Sequence, residues 1–466
     1  MGYQDYINLS VEDELIERKE VSVVSEYDKQ NDFSLESSGR RYDRQFFTMY
    51  QARLNELKTR VDSRAMKQWG NGTIKRDNKV ISKVDKILNI TSNQLCWVSG
   101  TIFVDLKNKL NIFNDVEKGI DDVLPQIPKS YISSEGTDDK VIMLEDESGR
   151  AILHGDDKLK DQLFVTGAIV AVLGIELQAG IFEMIEIIHP EIAPIRPMNP
   201  KSNSKIAFVS GLEISDSVNY DFKIDLLKEF FQNNPKSKDI SHLVIAGNSI
   251  KETDQDIGEE YVSNNNYGSK NISKFNDKSL KLFEVFINEI ISNCNISIMP
   301  GPSDPTDICL PQQPLHRSFF VNNKNYVGNN IRSLTNPSWL EIDSIRMLGT
   351  SGQNIDDIVK YLSPEDLQNK DILLKIMKST INWQNIAPTA PDTLYCYPFE
   401  NNDPFTLTNE TPKVYFIGNQ NEFKSELVNV NNENMLLLTI PKFNQCGQLV
   451  LLDTVDLSVE IIKFET

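Results

Sequence analysis

The apolar residues of this chain change their spacing twice, and those two changes limit the folds open to it more than any single motif does. From Tyr42 onward, Phe46, Phe47, Tyr50, Leu54, Leu57 and Val61 recur at intervals of three and four, the period of a helix buried along one stripe. Gly70, Asn71 and Gly72 stop it after Trp69. A shorter segment with Val80, Val84, Ile87 and Leu88 repeats the pattern, so residues 42–90 read as a helical pair. Between Leu95 and His189 the period becomes that of strands. The runs 96–104, 141–144, 151–153, 164–174 and 181–185 are rich in β-branched residues and broken by Gly, Asp and Ser.

About five strands within ~95 residues suit a small barrel of the oligonucleotide/oligosaccharide-binding (OB) type, with the internal glycines as bends or bulges. Such a barrel holds single strands by stacking bases on aromatics inside a basic groove. This stretch has few candidate aromatics and carries Glu145, Asp146 and Glu147 at its middle, so contact with a protein is the expectation. Residues 189–204 contain four prolines among small polar residues and form a linker.

After the linker the pattern alternates. Ile206-Ala207-Phe208-Val209 and His242-Leu243-Val244-Ile245-Ala246 are buried-strand runs separated by a helical segment at 222–231. A helix with Leu280, Leu282, Phe283, Val285, Phe286 and Ile290 precedes a third strand at 296–299. Residues 355–362 are helical, Ser363-Pro364-Glu365-Asp366 has the cap and first-turn proline of another helix, and the end of the chain is strand-rich. Strand–helix alternation followed by strands predicts a two-sheet α/β sandwich. The expected division is a flexible tail at 1–41, a helical segment at 42–90, the OB barrel at 91–189, a linker at 190–204 and the α/β unit at 205–466, with a mobile polar insert at 251–277.

Composition narrows the function. A net charge of −19 opposes direct grip on nucleic acid, whose non-specific binding needs clustered Lys and Arg. Cys96, Cys294, Cys309, Cys396 and Cys446 lie far apart with no C-x-x-C pair, against both a zinc module and a disulfide framework. No run approaches the ~20 apolar residues of a membrane span, and no apolar leader opens the chain, so a cytosolic or nuclear compartment is expected.

Chemistry would sit where strands of the second half end. The stretch 296–320 runs from a short strand into a loop with five prolines, which fix the backbone and remove donors. Four strand ends are alike in kind, namely Ser210-Gly211-Leu212-Glu213, Ala246-Gly247-Asn248, Met299-Pro300-Gly301-Pro302-Ser303-Asp304 and Gly418-Asn419-Gln420-Asn421. Their order resembles the calcineurin-like metallophosphoesterase series D-x-H, G-D, G-N-H-D or E, and G-H-x-H, whose carboxylates and imidazoles hold two metals. Laid on that series, Gly211 and Glu213 stand at the first Asp and His, Asn248 at the second Asp, Pro302 and Ser303 at Asn-His, and Asn419 and Asn421 at the last histidines; only Asp304 survives. The chain has four histidines: His154 and His189 in the barrel region, His242 at a strand start and His316 in the proline loop. The resemblance therefore implies an inactive site, with no catalytic residue, metal or cofactor. Asp304 is expected to serve its turn.

A narrower resemblance lies in PGPSDPTD with LPQQPLHRSFF, SLTNPSWLEID followed by LGTSGQNIDDIVKYL, APTAPDTLYCYPF with a nearby DPF, YDRQFFTMYQARL with KQWG, and VTGAIVAVLG. These look like the family of second, or B, subunits of DNA polymerase delta, over roughly residues 42–466. The family implies a nuclear, non-catalytic scaffold in DNA replication and repair. Its partners would be the cysteine-rich carboxyl-terminal module of the catalytic subunit, the third, clamp-binding subunit, and the catalytic subunit of the translesion polymerase zeta; DNA would be met only indirectly, and membranes not at all. Two other readings stand beside it: a phosphodiesterase or nuclease with rearranged metal ligands, and a barrel that binds single-stranded DNA.

Overall fold

The computed structural model describes residues 33–36, 40–76, 79–109, 128–132, 140–155, 162–178, 180–216, 221–252 and 277–465. All but the ends of the polar insert, residues 253–276, and most of the amino-terminal stretch lie outside them. Phe33, at the edge of that stretch, is buried and stacks on Phe405 with centroids 6.2 Å apart, so this part of the expected tail is packed.

Helix α1 (Phe47–Trp69) buries Met49, Arg53, Leu57, Val61, Ala65 and Trp69, one residue in four. The buried face is displaced from the apolar one read in the sequence: Phe47 is 62% exposed, whereas Arg53 is 1% exposed. At 100° per residue, four-residue steps advance the stripe by 40° each, so five steps turn it through about 200°. The two ends of α1 thus meet different partners. Leu57, Val61, Ala65 and Trp69 pack on Leu95, Trp97, Ile169, Ala171, Leu173 and Ile188 of the barrel. Arg53, one turn earlier, enters the α/β unit, where Nε reaches Asp403 Oδ2 at 2.6 Å and the two terminal nitrogens donate to Pro388 O at 2.7 Å and Ala390 O at 2.6 Å.

The expected second helix does not form among the described residues. Residues Lys75–Arg76 and Lys79–Val80 pair as a short hairpin, Ser82–Lys83 (β1) joins the barrel sheet, and Ile87–Asn89 is a single 3-10 turn. The apolar positions at 80–88 are too few to sustain a helix against the pairing offered by the neighbouring strand. The barrel comprises β2 (Leu95–Leu106), β3 (Lys140–Glu145), β4 (Arg150–His154), β5 (Ile169–Gln178) and β6 (Ile181–Ile188), in the order β1-β2-β3-β4-β6-β5. Pairing of β2 with β5 closes it, and β4 runs parallel to β6. That order and closure are those of the five-stranded OB barrel. Gly167, before β5, turns through φ +95°, and a Cβ there would strike Pro388 O and the Arg53 guanidinium; only glycine lets the barrel approach the α/β unit so closely.

The second half holds two mixed sheets. In the first, β10 (Ile331–Ser333), β9 (Asn295–Met299), β8 (Ile240–Ala246) and β7 (Lys205–Val209) are parallel, and β16 (Gln448–Asp453) and β17 (Val459–Lys463) continue antiparallel, in that order. In the second, the order is β11 (Ser338–Ile342), β12 (Ile345–Thr350), β13 (Val414–Gln420), β15 (Glu433–Pro441) and β14 (Lys424–Val430). Alternate residues explain the layers: Phe208, Val244, Ala246 and Met299 meet Val414, Phe416, Leu436 and Leu438 between the sheets. Val209, Leu243 and Ile298 instead face helices α2 (Phe222–Asn233) and α3 (Asp277–Ile291). Over the other sheet lie α4 (Gln353–Val359) and α5 (Ile372–Trp383). The cap-like Ser363 hydroxyl does accept from Asp366 N, but only a 3-10 turn, Asp366–Gln368, follows. The five cysteines are free, three buried and two half-buried.

Two of these buried groups can be tested directly. Arg53→Met strands Asp403 as an unpaired buried carboxylate and should lower stability by roughly 3–5 kcal/mol in denaturant unfolding; a loss below 1 kcal/mol would show that the pair does not tie the halves together. His242, whose Nε2 lies 2.7 Å from Ser297 Oγ, is pushed down to about 3 by burial, with Arg332 adding to the shift. Its folded value lies below the ~6.5 of an unfolded histidine, so its contribution is complete above pH 6.5 and is lost as pH falls toward 3. At pH 5 wild type should have lost about 2 kcal/mol that His242→Asn retains, measured as the difference between their unfolding curves at pH 7 and pH 5.

Candidate functional site

Strands β7, β8, β9 and β13 end together, and seven of the eight singled-out positions meet there. Gly211 N donates to Gly247 O at 2.9 Å and Glu213 N to Asn248 O at 3.0 Å, zipping the first two loops. The third loop locks onto them through Ser303, whose N–H reaches Asn248 Oδ1 at 3.1 Å and whose hydroxyl reaches Ile250 O at 3.0 Å. Pro302 beside it is exposed. From the fourth, Asn419 Nδ2 donates to both Ser351 O and Ser351 Oγ at 2.9 Å. Asn421 is apart from the cluster, exposed in the turn after β13.

The backbone here is sharply turned. Gly211, Glu213, Gly247, Asn248 and Asn419 all have positive φ, of 60°, 45°, 91°, 53° and 57°. Asparagine tolerates this region because its short amide can bond locally, whereas glutamate does not gain that relief. Non-glycine residues held there cost energy and gather where a fold positions function.

Asp304 is the one carboxylate at the centre. It is 2% exposed, and its oxygens accept from Ser249 N at 2.9 Å, Ile250 N at 3.0 Å and Gly301 N at 2.8 Å. Burial pushes its carboxyl up to about 7, while these backbone donors pull it back down. Its own N–H closes the turn to Gly301 O at 3.1 Å. The residue is therefore a turn former, as expected, and also a brace between two loops.

Side-chain amides fill the space around it. Asn336 Nδ2 donates to Gln312 Oε1 at 2.8 Å and Gln353 Oε1 at 2.9 Å, and its Oδ1 accepts from Ser351 N at 2.9 Å. A Cβ at Gly247 would fall on Ser351 Oγ, and one at Gly301 on Asn248 Oδ1. These groups are for the most part bonded to one another, but Asn419 Oδ1 and Ser249 Oγ are buried without a hydrogen-bond partner. Among the described residues no three His, Cys, Asp or Glu side chains converge. Glu213 points away toward Asn444 Nδ2, 2.6 Å from its Oε2. The residues present do not fit a binuclear metal centre, which needs several carboxylates and imidazoles around each ion.

Sequence reading missed Ser351, Gln312, Asn336 and Gln353 as members of this cluster, because amides and hydroxyls carry no ligand signature. All four lie inside the sequence blocks that carry the resemblance, and so do Arg53, Pro388, Ala390 and Asp403. That coincidence was the available signal.

Comparison with known proteins agrees with this placement of the blocks. Residues 45–187 match the family described as the DNA polymerase delta subunit OB-fold domain, and residues 206–425 match the family of the B subunits of DNA polymerases alpha and epsilon. The DNA polymerase delta small subunit of Saccharomyces cerevisiae is 36% identical over 96% of this chain and 95% of its own. The Arabidopsis thaliana small subunit is 33% identical over 91% of each chain, and Drosophila melanogaster DNA polymerase delta subunit 2 is 29% identical over 91% of this chain and 94% of its own. Matched over more than nine-tenths of its length by such relatives, the chain belongs to the DNA polymerase delta small-subunit family.

Proposed function

We propose that this chain is a non-catalytic scaffold of a delta-type replicative polymerase, built from an OB barrel and an α/β unit of the calcineurin-like phosphodiesterase kind that has lost its chemistry. The observation that supports it is the strand-end cluster, where Asp304 is consumed by three backbone donors and its neighbours bond to one another. In this reading Gly211, Glu213, Asn248, Pro302, Ser303, Asp304, Asn419 and Asn421 are degenerate metal-site positions. The division into tail, 42–90, barrel, linker and 205–466 unit describes its parts, with helix only as far as Trp69.

Such a subunit works in the nucleus, in replication, repair and translesion synthesis. It bridges the cysteine-rich module of the catalytic subunit and the clamp-binding third subunit, and the catalytic subunit of polymerase zeta is a further partner. A net charge of −19 suits a body that reaches DNA through basic partners rather than by itself.

Co-expressed with the catalytic subunit's carboxyl-terminal module, the chain should elute as one stable species without DNA; separate elution at micromolar concentration would sink the scaffold reading. Asp304→Ala leaves three buried N–H groups without an acceptor and should cost roughly 3 kcal/mol or more in stability. Neither form should hydrolyse a generic phosphodiester with manganese. Hydrolysis by wild type that disappears in the variant would establish an enzyme instead.

A further inference from the structure

We infer that β14 is the docking edge for an extended segment of a partner subunit, which adds to the five-stranded sheet as a sixth strand. This rests on the scaffold reading and locates one of its contact surfaces. β14 is the terminal strand, seven residues long, and its register against β15 is unbroken from Lys424 opposite Thr439 to Val430 opposite Glu433. The N–H of Lys424 points inward, to Thr439 Oγ1 at 2.6 Å. Backbone groups alternate along an antiparallel strand, so those of Ser425, Leu427 and Asn429 point outward, where no strand follows among the described residues. A row of this kind is a template for another strand.

The other edges of the two sheets are guarded. β10 has three residues, and β11 is nearly all buried. β17 carries Glu460 and Lys463 in ion pairs with Lys205 and Glu465. β14 also carries charge, with Lys424 paired to Asp371 and Glu422, and Glu426 paired to Lys378, but it is the longest of these edges and Leu427 at its centre is 51% exposed. Beside it a groove of about 350 Å³ opens toward α5, lined by the apolar Ile381, Val428, Met435 and Leu437 and by the polar Lys378 and Asn382. A strand laid on this edge would bury every second side chain in that groove and set the others by Leu427, which selects an extended segment with alternating apolar residues. A second copy of this chain is the disfavoured occupant, because two bodies of charge −19 repel; the partner segment is neutral or basic.

Hydrogen exchange on the full chain, alone and co-expressed with the catalytic subunit's carboxyl-terminal module or with the third subunit, tests this. In one of those complexes the amides of Ser425, Leu427 and Asn429 should exchange at least tenfold more slowly than in the free chain. Leu427→Pro removes one outward donor from an edge position where proline is tolerated, and should abolish co-elution while leaving the melting temperature within a few degrees. If that variant unfolds, Leu427→Lys takes its place, and Ile461→Lys on β17 serves as the control that should still bind. Complexes that form without protection at 424–430, or that survive both Leu427 variants, overturn the edge assignment and leave the scaffold standing. Failure to form either complex overturns both. Protection that grows with the concentration of the chain alone would give the edge to a second copy and overturn the proposal.

Discussion

A guanidinium in the interior decides how this molecule is assembled. Arg53 sits where an apolar residue would be expected on the buried stripe of α1, and it brings a guanidinium with five N–H donors and no acceptor. Taking it out of water is costly unless every donor finds a partner. Asp403 supplies the countercharge and is itself held by Asn385 Nδ2 at 2.9 Å, Phe405 N at 3.1 Å and Thr406 Oγ1 at 3.2 Å. Since Pro388 O and Ala390 O complete the shell, one side chain requires α1, the 385–406 loop and, through Gly167, the barrel to be in place together. Two apolar surfaces could slide against each other; a buried ion pair with fixed donor directions cannot.

The strand ends follow the same logic, with the buried Asp304 carboxylate held by backbone donors at their centre. A binuclear metal site tolerates crowded carboxylates because cations offset them. Here the turns at Glu213, Asn248 and Asn419 are left-handed, and the groups are mostly amides and hydroxyls bonded to one another, with Asn419 Oδ1 and Ser249 Oγ left without a partner. Gln312 shows how far this goes: its Nε2 reaches Gly301 O, Thr306 Oγ1 and Asp307 O, each at 3.1 Å. A proline-rich loop that resembles the mouth of a site is in this way stitched to its own neighbours. On the proposed reading, the loop's task is to stay put.

The layers were legible in the sequence because buried strands are continuous apolar runs and surface helices are periodic, so 206–209, 242–246 and 296–299 could be placed without knowing the fold. Helix α5 was missed although its period is present: Lys375, Lys378, Ser379 and Asn382 line one face at i, i+3, i+4 and i+7, opposite the buried Leu374, Ile376, Met377, Ile381 and Trp383. The 80–88 segment failed in the opposite direction, a chance period across residues that form short strand pairings at Lys79–Val80 and Ser82–Lys83 and a 3-10 turn at Ile87–Asn89. Arg53 escaped because a count of apolar spacing skips a charged residue, although its neighbours in YDRQFFTMYQARL drew notice. The partners of Asp304 were invisible in principle, since backbone N–H groups have no letter in a sequence.

Rigidity between the halves bears directly on what such a body can do. Besides Arg53, the barrel side is tied to the α/β unit by Tyr131, whose N–H meets Lys360 O at 2.9 Å, whose hydroxyl meets Asp357 at 3.3 Å, and whose ring lies edge-on to Tyr361 at 5.4 Å. Arg60 adds bonds to Leu407 O at 2.8 Å and Gln384 Oε1 at 2.5 Å, and Lys109 pairs with Asp392. Domains joined by one linker move by default unless their interface is large or specifically pinned; these ties come from separate segments and no single rotation relaxes them all. A partner that contacts both halves then loses little freedom of the scaffold on binding, and preorganisation of that kind is how modest contact area is converted into stable association. The free edge of β14 is most useful under that condition, because an added strand held by a sheet that cannot rock transmits its position to everything else the body carries.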